Sequence, residues 1–331
     1  MGINKRFLAG LVGASLVIGG CSHFASGKDE VVEDADLRSG QEAGGGEQDV
    51  TSSNTNNDKQ NAYEKENFVR VQDYTGEGYE LRNANQEIEK AARAASEQIE
   101  NAVSALFMKK YKTEITVTNI VGAGDAATVY VESVADPHFY TYAIVPYDSS
   151  TGTMRTDDVW TQEGQVEVAL YGWLYAKAYP EQFTKLNQSL EGFVNSNPVT
   201  GLTAEAVAKV KGSGFSNVYY LVSPFGPAFE DALQLYLKNP QVSGEQIRQE
   251  LEETGYDDKH VSFGITLYME EEAAPDPDII DSLSSGINEL TGIPIGAYSL
   301  NLNDNYIDKR RASGNKENSI DLTWPNEIIK E

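Results

Sequence analysis

The chain has 331 residues, 40% of them hydrophobic, with three Trp, eleven Phe and eighteen Tyr, which is material for a packed core. Its 26 Lys and Arg against 51 Asp and Glu give a formal charge of −25, which excludes a nucleic-acid partner, because phosphate neutralisation relies on basic side chains. A single cysteine excludes an intrachain disulfide framework, a four-Cys zinc site and a CxxC redox pair.

Residues 1–20, "MGINKRFLAGLVGASLVIGG", read as a signal segment. Lys5 and Arg6 form a short basic region, and residues 7–18 form an apolar run too short to span a bilayer. The order Val17-Ile18-Gly19-Gly20-Cys21 resembles the lipobox of bacterial lipoproteins. That resemblance implies cleavage before Cys21, acylation of its sulfur, and a chain held by lipid on the outer face of the cell membrane.

Residues 21–66 are rich in Gly, Ser, Asn and acids and poor in large apolar side chains. Such a segment cannot bury enough surface to offset its conformational entropy, so a disordered acidic tether is expected. As a flexible coil it would span roughly 35–40 Å on average.

Folding is expected over residues 67–331. Asn85 caps an expected long helix whose apolar residues, Ile88, Ala92, Ala95, Ile99, Ala102, Val103, Leu106 and Phe107, recur at spacings of three and four. Three strands follow at 113–121, 126–134 and 139–147. In the first, alternation puts Ile115, Val117 and Asn119 on one face, and the third is apolar on both faces, as suits an inner strand. A helix feeding three antiparallel strands resembles the half-unit of cystatin-like domains. Residues 165–178 are apolar nearly all round, and Pro180 opens another helix. The stretch 195–203 is a candidate subdomain boundary, with Thr203 capping the helix after it. Strand 218–222, helices 227–237 and 244–253, strand 261–268, helix 278–290 and strand 296–302 then form a second mixed α/β unit. The fold class is α+β.

Chemical motifs are sparse. "VGAGDAA" (121–127) imitates a dinucleotide-binding turn, but strand continues behind it where a helix should open, so it reads as a hairpin and no cofactor is expected. His138 and His260 lie 122 residues apart and carry no zinc spacing. The acidic phrases at 270–272, 275–281 and 301–308 offer oxygen ligands but no calcium-loop pattern. Polar residues beside the expected helices and strands mark a candidate binding surface: Asp136 and His138, Gln162 and Glu163, and Asn303, Asp304, Asn305 and Tyr306.

The phrases "VQDYTGEGYELR" (71–82), "VYVESVADPHFYTYAIVPYD" (129–148), "VWTQEGQVE" (159–167), "KGSGFSNVYYLV" (211–222), "LNDNYIDKR" (302–310) and the terminal "IIKE" resemble a family of uncharacterised Gram-positive proteins described as lipoproteins. The resemblance runs over residues 68–331. It implies a lipoprotein with a domain of unknown function and assigns no catalytic residue. The expected role is a non-catalytic binding domain whose partner is a surface protein, a peptide or a cell-wall fragment. A carboxylate-based envelope hydrolase and a calcium-responsive domain are the alternatives.

Overall fold

A computed structural model describes residues 61–331 except Asp136. The signal segment, Cys21, the tether up to residue 60 and Asp136 lie outside the described residues. The described chain opens with helix α1 (Ala62–Asn67), which occupies the last positions assigned to the tether. Asn61 and Glu64 cap it reciprocally: the Asn61 side chain accepts from the Glu64 amide at 3.0 Å, and the Glu64 carboxylate accepts from the Asn61 amide at 2.9 Å. Strand β1 (Phe68–Arg70) follows, then a single 3-10 turn at Val71–Asp73.

The one long helix expected from Asn85 is two helices, α2 (Gln86–Ala94) and α3 (Ser96–Tyr111). Ala95 breaks them with φ −103° and ψ 19°, outside the helical basin. The break lets Ile88 and Ala92 of α2 and Ile99, Val103, Phe107 and Tyr111 of α3 all reach the core, whereas a straight helix would drift off a twisted sheet.

Beneath them lies an antiparallel sheet in the order β2 (Ile115–Ala123), β3 (Ala126–Ser133), β4 (Tyr140–Asp148), β5 (Thr153–Met154). The turn at Gly124-Asp125 joins β2 to β3, with Gly124 at φ +61°. The register shifts between Val117 and Asn119, so Val117 faces Val131 while Asn119 faces Tyr130. Asn119 therefore lies on the opposite face from Val117, contrary to simple alternation, because a bulge adds one residue to the strand.

Helix α4 (Gln165–Ala178) packs against β4 and against helices and strands of the second half, which is why it is apolar all round. Helix α5 (Pro180–Ser196) opens on Pro180. Strand β6 (Val199–Thr200), helix α6 (Ala204–Val210), strands β7 (Phe215–Ser216) and β8 (Tyr220–Pro224), and helices α7 (Pro227–Lys238) and α8 (Gly244–Thr254) come next. They are followed by β9 (Val261–Met269), α9 (Pro277–Glu289), β10 (Gly296–Asn303), β11 (Tyr306–Asp308), β12 (Ile320–Leu322) and β13 (Ile328–Lys330).

The second sheet runs β12-β10-β9-β8-β7, with β13 also on β10 and β6 also on β9. Strands β9 and β10, joined by the single helix α9, are parallel. Strands β8 and β9 are antiparallel although helices separate them. Two helices in series return the chain to the end it left, so the next strand runs back. A third, two-stranded sheet pairs β1 with β11 and joins the start of the described chain to its last quarter.

Most buried apolar side chains form one cluster running from Ile88 to Ile328. Trp173 of α4 bridges it, with ring contacts to Phe139 at 6.0 Å and Tyr236 at 5.2 Å. A smaller cluster gathers Val71, Tyr74, Val207, Val210, Tyr268 and Ile307 under the first turn of the chain.

Candidate functional site

A cleft of about 740 Å³ lies between the 76–80 turn and helix α2. One wall is the stretch Gly76-Glu77-Gly78-Tyr79-Glu80. Tyr74, buried just before it, donates its hydroxyl to the Lys309 carbonyl at 3.1 Å, and its own carbonyl accepts from the Thr203 hydroxyl at 2.6 Å. Gly76 and Gly78 both have left-handed backbones, with φ +85° and +77°. A Cβ on Gly76 would stand 2.7 Å from Lys209 Cβ. The two glycines thus fold a tight turn against α6 and leave Glu77 exposed between them. The turn is braced from behind by the Glu80 amide, which donates to the Arg310 carbonyl at 2.9 Å, and by the Glu80 carboxylate, which accepts from Arg310 Nε at 3.0 Å.

The second wall is α2. Asn85 caps it, its side-chain oxygen accepting from the amides of Glu87 at 3.1 Å and Ile88 at 3.3 Å. Gln86, Glu89, Lys90 and Arg93 line the cleft at spacings of three and four, one stripe of the helix. Glu89 and Arg93 pair at 3.0 Å.

The floor is the bulge in β2. Thr118 donates its hydroxyl to the Ala208 carbonyl at 2.5 Å, and the Asn119 amide group donates to the Lys209 carbonyl at 3.0 Å, so the bulge ties this sheet edge to α6. Lys209 turns to Glu205 at 2.7 Å. Beneath the wall, the hydroxyls of Tyr79 and Tyr130 share a hydrogen bond of 3.1 Å. Burial pushes the Tyr130 hydroxyl well above the ordinary tyrosine range, so it stays protonated and can keep donating.

The residues singled out from sequence fall elsewhere. His138 Nδ1 sits 2.7 Å from the Ser133 carbonyl and 3.6 Å from Glu132 Oε1, at the mouth of the β3–β4 connection. Gln162 accepts from the Tyr142 hydroxyl at 3.0 Å, and Glu163 is exposed just ahead of α4. Near them Glu167 accepts from the Tyr111 hydroxyl at 3.3 Å and lies 3.7 Å from Lys110 Nζ, while its other oxygen is buried without a partner among the described residues.

Asn303, Asp304, Asn305 and Tyr306 form a separate knot at the end of β10. Asn305 is fully buried, and its amide donates to the carbonyls of Met269 at 2.9 Å and Glu270 at 2.7 Å. Its side-chain oxygen accepts from Arg70 Nε at 3.3 Å, and its backbone carbonyl from the Val71 amide at 2.8 Å. Asn303, also buried, accepts from the Ser319 hydroxyl at 2.7 Å, and Asp304 pairs with Lys316. A hydrogen bond to Glu272 and partial burial push the Tyr306 hydroxyl up to about 12. These side chains hold the β1–β11 seam together with bonds inside the molecule.

The structure does not gather Asp/Glu-rich phrases into a cation site: among the described residues, no group of three or more His, Cys, Asp or Glu side chains converges to hold a metal ion. No described helix is long and apolar enough to cross a membrane. Sequence reasoning passed over the cleft residues Glu77, Gln86 and Lys90. The available signal was a pair of glycines flanking one acid in "TGEGY", where two left-handed positions one residue apart make a turn tip.

Residues 61–330 match the family described as protein of unknown function (DUF1672). A crystal structure of a DUF1672 family protein from Staphylococcus aureus subsp. aureus Mu50 is similar, with a TM-score of 0.65 and 19% identity, over 80% of this chain and 98% of that one. At that identity the likeness speaks for a shared fold. No curated protein matches the chain. With its fold shared by that relative and nearly all of its described length matched, the chain belongs to the DUF1672 family of proteins of unknown function.

Proposed function

We propose that the chain is an exported, lipid-anchored domain that acts by binding a hydrophilic ligand in the cleft between the 76–80 turn and α2. The cleft itself carries the binding part. Its volume of about 740 Å³ falls within the roughly 300–1,000 Å³ of small-ligand sites, and charged and amide groups make up about half of its lining. Cys21 behind its apolar run supports the anchor, and the acidic stretch up to residue 60 would let the domain stand off the outer face of the cell membrane. The partner is then a peptide, a cell-wall fragment or a polar segment of a surface protein.

Two measurements test this. Metabolic labelling with an alkyne fatty acid should mark the wild type and leave a Cys21→Ala variant unlabelled and released from the cell. Equal labelling of both removes the anchor. Titrating cell-wall digests and peptide pools into isotope-labelled full chain should shift the amide resonances of Glu77, Gln86 and Lys90. Shifts confined to the Gln162 or His138 regions would relocate the site.

A further inference from the structure

Six ionisable side chains line the cleft: Glu77, Glu80, Glu89, Lys90, Arg93 and Lys209. Four are already engaged, Glu80 with Arg310, Glu89 with Arg93, and Lys209 with Glu205. Among the described residues, Glu77 and Lys90 alone of the six have neither an ion-pair nor a hydrogen-bond partner for their side chains. They bear opposite charges, and they belong to different walls. Glu77 stands on the turn and Lys90 on α2.

From this we infer that the ligand is dipolar, presenting an ammonium group to Glu77 and a carboxylate to Lys90, which is the chemistry of a short peptide with free ends. The inference rests on the cleft reading above and names its substrate class. The other lining groups agree with it. Acids and bases in the lining balance, so a polyanion or a polycation would meet as much repulsion as attraction. The Gln86 side chain, exposed on the same helix stripe as Lys90, has a donor and an acceptor to offer a peptide group. The amides and hydroxyls of Asn119 and Thr118 are already bonded to α6, so they shape the floor and do not compete for the ligand. The left-handed glycines on either side of Glu77, with Gly76 pressed on Lys209, set where Glu77 leaves the turn, and its exposed side chain is free to turn toward a ligand.

The test uses the isotope-labelled full chain in detergent and tri-alanine as probe, followed through the protein's amide resonances at up to about 10 mM probe, where a weak ion-pair-driven complex is visible. Tri-alanine with free ends should bind, and N-acetylation or C-terminal amidation should each weaken it about fivefold, the worth of one partly exposed ion pair. Glu77→Gln should reproduce the effect of acetylation and add nothing to the acetylated peptide. Lys90→Gln should do the same for the amidated one. Equal binding of the doubly blocked peptide, or insensitivity to both substitutions, overturns the proposal. A neutral N-acetylglucosamine trimer that shifts Gln86 while tri-alanine does not would also overturn it, yet would leave the cleft as a binding site. Neither probe nor a general fragment set shifting any residue of the two walls would remove both readings.

Discussion

At the scale of single residues, buried amides and glycines do work that exposed acids do not. Asn305 satisfies carbonyls from the end of β9 and the residue after it, and joins them to Arg70 of β1. Truncating it would take this donor from the buried Met269 carbonyl, whereas the Glu270 carbonyl keeps the Gln72 amide group and Arg70 is exposed to water. Asn305→Ala should therefore lose about 1–3 kcal/mol in urea unfolding, with the loss expressed first at the β1–β11 seam in hydrogen exchange. Gly76→Ala places a Cβ at φ +85° and 2.7 Å from Lys209 Cβ, so it should cost about 1–3 kcal/mol and disturb the cleft wall. Both effects depend on contacts between distant positions, and neither residue type announces them. An asparagine in "NDNY" and a glycine in "TGEG" read from sequence as ordinary loop formers.

At the scale of elements, helix α4 and helix α5 make a controlled comparison. Glycine in a helix costs about 1 kcal/mol relative to alanine, so Gly→Ala is ordinarily stabilising. Gly192 on α5 is exposed and has nothing within 4 Å of an added Cβ, so Gly192→Ala should stabilise by about 0.5–1 kcal/mol. Gly172 on α4 is buried, and an added Cβ would overlap Phe215 Cβ of β7. Overpacking costs about 1–3 kcal/mol, which outweighs the propensity gain, so Gly172→Ala should destabilise. Thermal melts of the two variants should move in opposite directions. Helix α4 was legible as a buried helix because its apolar residues go all round, but what it touches at Gly172 was not. The break at Ala95 and the bulge at Thr118 escaped for a similar reason. Apolar spacing carries straight through Ala95, and at the bulge Thr118 and Asn119 bond to carbonyls of α6 that lie 90 residues on in the chain.

At the scale of the whole molecule, tyrosine burial ties stability to alkaline pH. Burial raises the hydroxyls of Tyr130, Tyr175, Tyr220, Tyr268 and Tyr298 above their reference value of 10.0. A raised folded-state value means that the neutral form is favoured in the fold, so this stability is complete below pH 10 and is lost as pH climbs above it. The part of the tyrosinate absorbance that belongs to these five should therefore appear late and cooperatively, coinciding with loss of helical circular dichroism. Ionisation of all eighteen tyrosines with the fold intact would contradict the burial.

By itself the sequence determined what is decided within a few residues: helix caps at Asn85 and Thr203, the helix start at Pro180, the hairpin at Gly124, a core rich in aromatics, and a family resemblance carried by recognisable phrases. It also carried the reading of Cys21 as a lipid site, which lies outside the described residues. Only the tertiary structure decided the pairings that close the molecule. Glu80 meets Arg310 across 230 residues, and Asn305 meets Gln72 across 233. The cleft follows from such meetings, because Glu77 comes to line the same cleft as Lys90 where the 76–80 turn is pinned by Arg310 and packed on Lys209. Periodicity reports which face of one element is apolar. It is silent on which other element will cover that face, and therefore on which polar side chains are left over.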